Sequence, residues 1–257
     1  MNQDQVKKYW EDRARSHPEG QKTTMDVSLR EIEYRNLKKQ ILLNQPKIVL
    51  DVGCGDGKTT IRLAKEFPGI YFYGMDFAGN MISEAERNIG NLDNIEFKVG
   101  DILNLISDVS FDLIFTNRCL INLTSWELQL LAIQNMKKLL NSKGTLILIE
   151  NILESQEKFN CYRTAVGLHK IPIREHNLFF QRQVLIKELK LIFNEVGIKN
   201  ISSTYYFITR IVYSRICKLL RRHPNYVGIT HIFSALLPSI GDMGPVNLIL
   251  AKSSRKT

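Results

Sequence analysis

Between Lys47 and Glu150 the chain alternates short apolar runs with longer amphipathic ones. The apolar runs are Ile48–Leu50 with Val52, Tyr71–Met75, Ile95–Val99, Phe111–Thr116 and Thr145–Glu150, each of strand length. Helix-compatible stretches fill the gaps at Lys58–Phe67, at Gly79–Asn88 and from Trp126 to about Leu140, with Asn91–Asn94 as a turn. Thr124-Ser125-Trp126-Glu127 has the spacing of a capping box for the third helix, and Asn141–Gly144 is its expected stop. Such alternation predicts a doubly wound α/β sheet. Ahead of it, Gln3–Ser16 reads as a helix with Val6, Tyr9, Trp10 and Ala14 on one face. A second helix from Val27 to about Leu43 leads into the first strand, with Arg30, Glu31, Arg35 and Lys38 as a solvated face.

Beyond Glu150 the alternation loosens. Gln156–Leu168 and Gln183–Val196 read as helices, the latter ended by Gly197, and His169–Phe180 is a mixed connection. Asn200–Phe207 and Val246–Ala251 read as the last two strands. The insertion between them, about 208–244, is far longer than a hairpin needs. It carries Arg210, Arg215, Lys218, Arg221 and Arg222, with no acidic residue before Asp242. Long segments on a rigid scaffold often cap a site, so a helical cap is expected here. The organisation expected is one domain over 1–257: a core at about 45–152, cap helices at 1–44, and site-facing insertions at about 153–182 and 208–244.

The segment KIVLDVGCGDGKTT, Lys47–Thr60, joins the first strand to its helix through Gly53, Gly55 and Gly57. Glycines let this turn reach positive φ and let a ligand lie on its backbone. A dinucleotide site asks for G-x-G-x-x-G, and Lys58 stands where the third glycine would fall. Asp51 and Asp56 flank the turn, where they repel a pyrophosphate and attract a cationic methionyl amine. S-adenosylmethionine (SAM) therefore fits better than a dinucleotide. Asp76 ends the second strand about twenty positions on, suited to both ribose hydroxyls of an adenosine. Gly100-Asp101 ends the third strand, placed for an adenine amino group.

The motifs LDVGCGDG (Leu50–Gly57), GMDFAGNM (Gly74–Met81), GDILNL (Gly100–Leu105) and FDLIFTNRCLINL (Phe111–Leu123) resemble those of class I SAM-dependent methyltransferases. The resemblance implies a seven-stranded Rossmann-like fold with SAM at Asp51, Gly53, Cys54, Gly55, Asp76, Phe77, Met81, Gly100, Asp101, Ile102, Asn117 and Arg118. It also implies an N-terminal helix folded over the cofactor, with Tyr9 shielding the methionine end and Arg13 near its carboxylate. Trp10 reads as core. More narrowly, NRCLINL, the His176-Asn177 pair and Ser203–Tyr213 resemble methyltransferases found among bacterial surface-polysaccharide genes. That implies an O- or N-methyl acceptor such as a sugar, nucleotide sugar or phosphorylated precursor.

Composition adds a partner class. The net charge of +9 points to an anionic partner, without choosing between a metabolite and nucleic acid. Cys54, Cys119, Cys161 and Cys217 form no C-x-x-C pair, so neither a zinc site nor a disulfide framework is expected. No secretory signal or spanning apolar run is visible, so a cytoplasmic protein without a membrane partner is expected. A homo-oligomer is left open.

Methyl transfer to a hydroxyl asks for a general base. His176, in IREHNLFF, is the first candidate, because a neutral imidazole is available near physiological pH. Glu150, at a strand end, is expected to orient that base or bind substrate. Cys119, Asn122, Asn177, Tyr205 and Arg210 are the expected acceptor contacts, and Arg118 and Arg210 are candidates to hold an anion. Asn117-Arg118-Cys119-Leu120 is not the [DN]-P-P-[YF] signature of enzymes that methylate nucleobase and amide nitrogens. No metal-ligand spacing supports a catechol-type mechanism. An RNA methyltransferase using the basic insertion, and a noncatalytic SAM-binding subunit, are the alternatives.

Overall fold

The computed structural model describes residues 1–16, 26–104, 108–225 and 227–253. Leu105, the end of the third motif, lies outside them. Seven strands form one sheet in the order β3-β2-β1-β4-β5-β7-β6. They are β1 Ile48–Val52, β2 Tyr71–Asp76, β3 Ile95–Val99, β4 Phe111–Asn117, β5 Leu140–Asn151, β6 Glu195–Asn200 and β7 Val246–Lys252. β1 through β5 pair in parallel, while β7 runs antiparallel to both β5 and β6. The doubly wound class and the strand number agree with the sequence expectation.

Alternation along the strands builds two apolar layers. Val49, Leu113, Phe115, Ile147 and Ile149 face the helices α2 Val27–Asn44, α3 Lys58–Glu66 and α4 Gly79–Asn88. Leu50, Ile114, Leu146 and Leu148 face α5 Trp126–Leu139 and, beyond α6 Leu153–Ala165, α7 Arg182–Ile192. Because successive side chains of a strand point to opposite faces, near-continuous apolar runs are what a sheet covered on both sides requires. α1, Gln3–Ser16, instead packs on α4 through Ala14, Ala78 and Met81. Strand order reverses where β1 has β2 on one side and β4 on the other, which opens a crevice at the strands' carboxyl ends.

Four sequence expectations are corrected. Asn141–Gly144 does not separate α5 from β5; it is a bulge within β5, between Leu140 opposite Phe111 and Thr145 opposite Leu113. The α5 cap is Ser125, whose Oγ accepts from the Leu128 amide, not the Thr124 capping box. The stretch 200–207 is mostly helical: β6 ends at Asn200, and α8 Ser203–Tyr206 runs through a π-helical turn Phe207–Val212 into α9 Tyr213–Leu219. Burial outweighs strand propensity there, since Tyr205, Thr209 and Ser202 bury on one side at helical spacing. β6 moves upstream to an exposed edge, taking Gly197 into a strand instead of a helix stop. The insertion is helical as expected, ending in α10 Ile229–Leu236.

Candidate active site

The turn after β1 is left-handed at all three glycines, with φ of 76, 56 and 72 at Gly53, Gly55 and Gly57. At Gly53 a Cβ would sit 2.3 Å from the Cys119 Sγ, so glycine is required both by the conformation and by the close approach of the β4 loop. The Gly53 and Cys54 amides donate to the Met75 carbonyl, which ties the turn to β2. Asp76 completes the cradle: its Oδ2 accepts from the Gly55 amide and its Oδ1 from the Ala78 amide, both at 2.9 Å. Asp51 accepts from the Thr60 hydroxyl at 2.6 Å. Burial raises both carboxyls, Asp51 to about 7 and Asp76 to about 6.

Two adjoining cavities open over this turn, of roughly 630 and 300 Å³. Gly53, Asp76, Phe77, Cys119 and Asn122 line both. The smaller also contains Gly100, Asp101 and Ile102, together with Gln3, Asp4 and Lys7 of α1. The larger contains Asp51, Cys54, Gly55, Met81, Asn117 and Arg118, as well as Arg13, His176, Asn177 and Arg210. So the expected cofactor residues converge, apart from Tyr9, with Asp76 between the two chambers. Asp101 turns its Oδ1 to the Leu103 amide at 2.9 Å. Met81 lines the larger chamber, away from Gly100 and Asp101.

The residues present fit a bound SAM. Asp56 Oδ2, Asn117 Oδ1 and Asn151 Oδ1 are buried acceptors with no hydrogen-bond donor, and all three residues line the larger chamber. A set of orphaned acceptors calls for a ligand rich in donors or positive charge, such as an amino-acid ammonium. Among the described residues no group of three or more His, Cys, Asp or Glu side chains could hold a metal.

α1 closes the crevice from above. Glu11 accepts from the Gly79 and Asn80 amides at 2.8 and 3.0 Å, placing a carboxylate on the N-terminus of α4. Trp10, read as core in the sequence, lines the larger cavity and donates its indole N–H to Asn122 Oδ1 at 3.3 Å. Tyr9 is not a wall residue of either cavity; its ring lies against His176 with centroids 4.4 Å apart. Trp10 is thus both packed against the Ala14, Ala78 and Met81 cluster, as expected of a core residue, and exposed to the cavity, while Tyr9 is half-buried and meets the site through His176.

His176 is 8% exposed and lies on the cavity wall. Burial, then the nearby Arg174 and Arg13 guanidiniums, lower its pKa, so the ring is neutral at physiological pH. Next to it, Asn177 donates to Asn122 Oδ1 at 3.1 Å, and Asn122 donates to the Arg118 and Cys119 carbonyls. This chain of bonds fixes the His176 segment to the β4 loop. Burial pushes the Cys54 and Cys119 thiols up, which leaves Cys119 a protonated wall residue.

Several expected contacts are redirected. Glu150 is fully buried and absent from both cavity walls. Its carboxylate accepts from the Thr116 hydroxyl and the Cys119, Leu120 and Ile121 amides, so it shapes the β4 loop and does not touch an acceptor. Tyr205 is buried behind the wall with its hydroxyl donating to Asp26 at 2.6 Å; Tyr206 is the residue that faces the cavity. Arg118 pairs with Glu33 at 2.9 Å, and Arg210 with Asp26 at 2.7 Å. The larger cavity carries five arginines (13, 30, 118, 174 and 210) against five carboxylates (Asp26, Glu33, Asp51, Asp56 and Asp76). Its lining is balanced, not cationic. Arg30, read as part of a solvated face, belongs to this wall. Glu33 was missed, although an acid between Leu29 and Leu37 on the apolar stripe of α2 is a visible signal of a buried charge.

Residues 43–197, more than half of the chain, match the family model described as a methyltransferase domain. The chain is 31% identical over 84 residues to malonyl-[acyl-carrier protein] O-methyltransferase of Halalkalibacterium halodurans, covering 31% of each protein. It is 39% identical over 72 residues to trans-aconitate 2-methyltransferase of Deinococcus radiodurans, covering 28% of this chain and 26% of that one. The chain thus spans about a third or less of the length of these curated relatives. In three dimensions it resembles magnesium protoporphyrin IX methyltransferase from Synechocystis with bound S-adenosylhomocysteine. The TM-score is 0.63 at 15% identity, over 98% of this chain and 100% of that one. With the glycine turn, the strand-end carboxylates and the family match in agreement, this chain belongs to the methyltransferase domain family, of the class I type that uses SAM.

Proposed function

We propose that this protein transfers a methyl group from SAM to an oxygen or nitrogen of a small anionic metabolite, with His176 as general base. The reading is carried by one observation: a buried imidazole, whose burial and cationic neighbours disfavour its protonated form, stands on the wall of the cavity whose floor is the Gly53–Gly57 turn. The Gly53–Gly57 backbone, Asp76 and the orphaned acceptors of Asp56, Asn117 and Asn151 hold the cofactor, and Asp101 lies near the adenine. SAM supplies, when bound, a methyl group already activated on a sulfonium. The protein's own part is then orientation, exclusion of water and removal of the acceptor's proton. α1 covers the crevice through Trp10 and Glu11, Asn122 and Asn177 orient the acceptor, and a His176 ring nitrogen takes the proton of its hydroxyl or amine.

The anionic acceptor rests on Arg174. Arg118 and Arg210 are committed to Glu33 and Asp26, whereas Arg174 is an exposed cation on the cavity rim, two residues from His176. Sugars, nucleotide sugars and phosphorylated precursors are the first acceptors to try, with small carboxylates beside them. The purified protein with SAM should form S-adenosylhomocysteine with at least one anionic member of this panel, and Arg174→Ala should raise its KM. Tight SAM binding with no turnover across the panel would instead mark a noncatalytic SAM-binding protein.

A further inference from the structure

The helices of the insertion are amphipathic the wrong way round for a water-facing surface. In α10 the side packed on the protein holds His231, Ser234 and Ala235, all buried. The outward side holds Ile229, Ile232, Phe233 and Leu236, spaced i, i+3, i+4 and i+7, each at least 59% exposed. Ile240 follows at 75%. The neighbouring rod repeats the pattern: Val212, Ile216, Leu219 and Leu220 form one exposed stripe. α10 packs against this rod at α8 and the π-helical turn, with the Tyr213 and His231 rings 5.7 Å apart, so the two apolar stripes lie on neighbouring elements. Exposed apolar area of this extent marks a binding surface.

Charge identifies the partner. Lys218, Arg221 and Arg222 are exposed beside these stripes, with Arg215 half-buried, and no Asp or Glu occurs from Ile208 to Gly241. A second copy bound across a two-fold axis would bring this cationic cluster against itself. An apolar face edged by cations, on a helix too short to span, is the pattern of a helix lying in the headgroup layer of an anionic bilayer. No helix among the described residues is long and apolar enough to cross a membrane, so the contact is peripheral. The sequence expectation of no membrane partner considered spanning alone.

We propose that the outward faces of α9 and α10 dock this protein on an anionic lipid surface. The test is co-sedimentation of the full chain with vesicles of phosphatidylcholine alone and of equal parts phosphatidylcholine and phosphatidylglycerol. The protein should pellet with the second and stay in solution with the first. Ile232→Glu/Phe233→Glu and Arg221→Glu/Arg222→Glu should each weaken binding roughly tenfold or more. Both pairs are solvent-facing, and unchanged thermal unfolding would show that the fold is intact. Equal binding to both vesicles, or to neither, overturns the proposal. So does a lipid-free dimer that the Ile232→Glu/Phe233→Glu variant converts to monomer, since a second copy would then be the occupant.

Discussion

Arg118 Nε lies 2.9 Å from Glu33 Oε1, joining the loop after β4 to the middle of α2. The arginine adopts a left-handed φ of 53 to make this pair, and Glu33 is fully buried. Burial holds the Glu33 carboxyl above its ordinary range, and the Arg118 charge acts against that rise. Removing one partner strands a buried charge, which typically costs about 3–5 kcal/mol. Arg118→Met should therefore lower unfolding stability by that order, measured by urea denaturation, and adding Glu33→Gln should recover most of the loss. A single variant as stable as the wild type would show the pair to be dispensable.

His176→Ala should lower kcat by about 10²–10⁴-fold at saturating acceptor while SAM affinity holds. The acid limb of the rate profile should fall below the ordinary imidazole pKa, because burial and the Arg174 and Arg13 charges disfavour the protonated ring. Arg174→Ala should move that limb upward, toward higher pH. An unchanged limb would mean that another group carries the proton.

Asp76→Asn keeps one acceptor for the cradle and removes the charge. Loss of a charge-assisted hydrogen bond is worth about 1.5–3 kcal/mol, so SAM should bind roughly tenfold or more weakly. Isothermal titration calorimetry measures this directly. Unaltered affinity would move the ribose site away from Asp76.

Three buried carboxyls set a pH dependence of stability. Burial raises Asp51 to about 7, Asp76 to about 6 and Glu150 to about 7. Below the unfolded carboxylate pKa both states are protonated and the associated stability is fully present. As pH rises through the folded values, the native state must ionise buried groups that the unfolded chain ionises freely, and that stability is lost. The urea midpoint should therefore fall between about pH 4 and about pH 7 and level off above that. Asp51→Asn should flatten the slope; a variant as steep as the wild type contradicts the assignment.

Gly53→Ala would place a Cβ 2.3 Å from the Cys119 Sγ at a φ of 76. Backbone strain of this kind costs about 1–3 kcal/mol before the clash is counted. Cys119→Ala should restore part of the stability in the double variant, read by thermal unfolding. No recovery would show that backbone strain and the remaining Cys119 Cβ, 2.6 Å from the new Cβ, account for the loss.

Local pattern determined much of this protein. Apolar period and glycine chemistry located the strands from Ile48 to Val99, and the bounds of α1 and α4 agree with the pattern residue for residue. The glycine turn was legible for the same reason: its geometry is written in residues adjacent along the chain. Tertiary structure decided what depends on residues far apart. Glu33 meets Arg118 across 85 positions and Asp26 meets Arg210 across 184, so cations that look available in the sequence are neutralised in the fold. Glu150 looks like a strand-end acid open to substrate, yet the β4 loop wraps it with three amides and a hydroxyl. Asn200–Phe207 has the composition of a strand, but packing buries Tyr205 and turns Tyr206 to the cavity from a helix. Periodicity reports which face of an element is apolar. Whether that face meets the core, a paired charge or the surrounding medium is set by what the rest of the chain brings against it, as the outward apolar face of α10 shows.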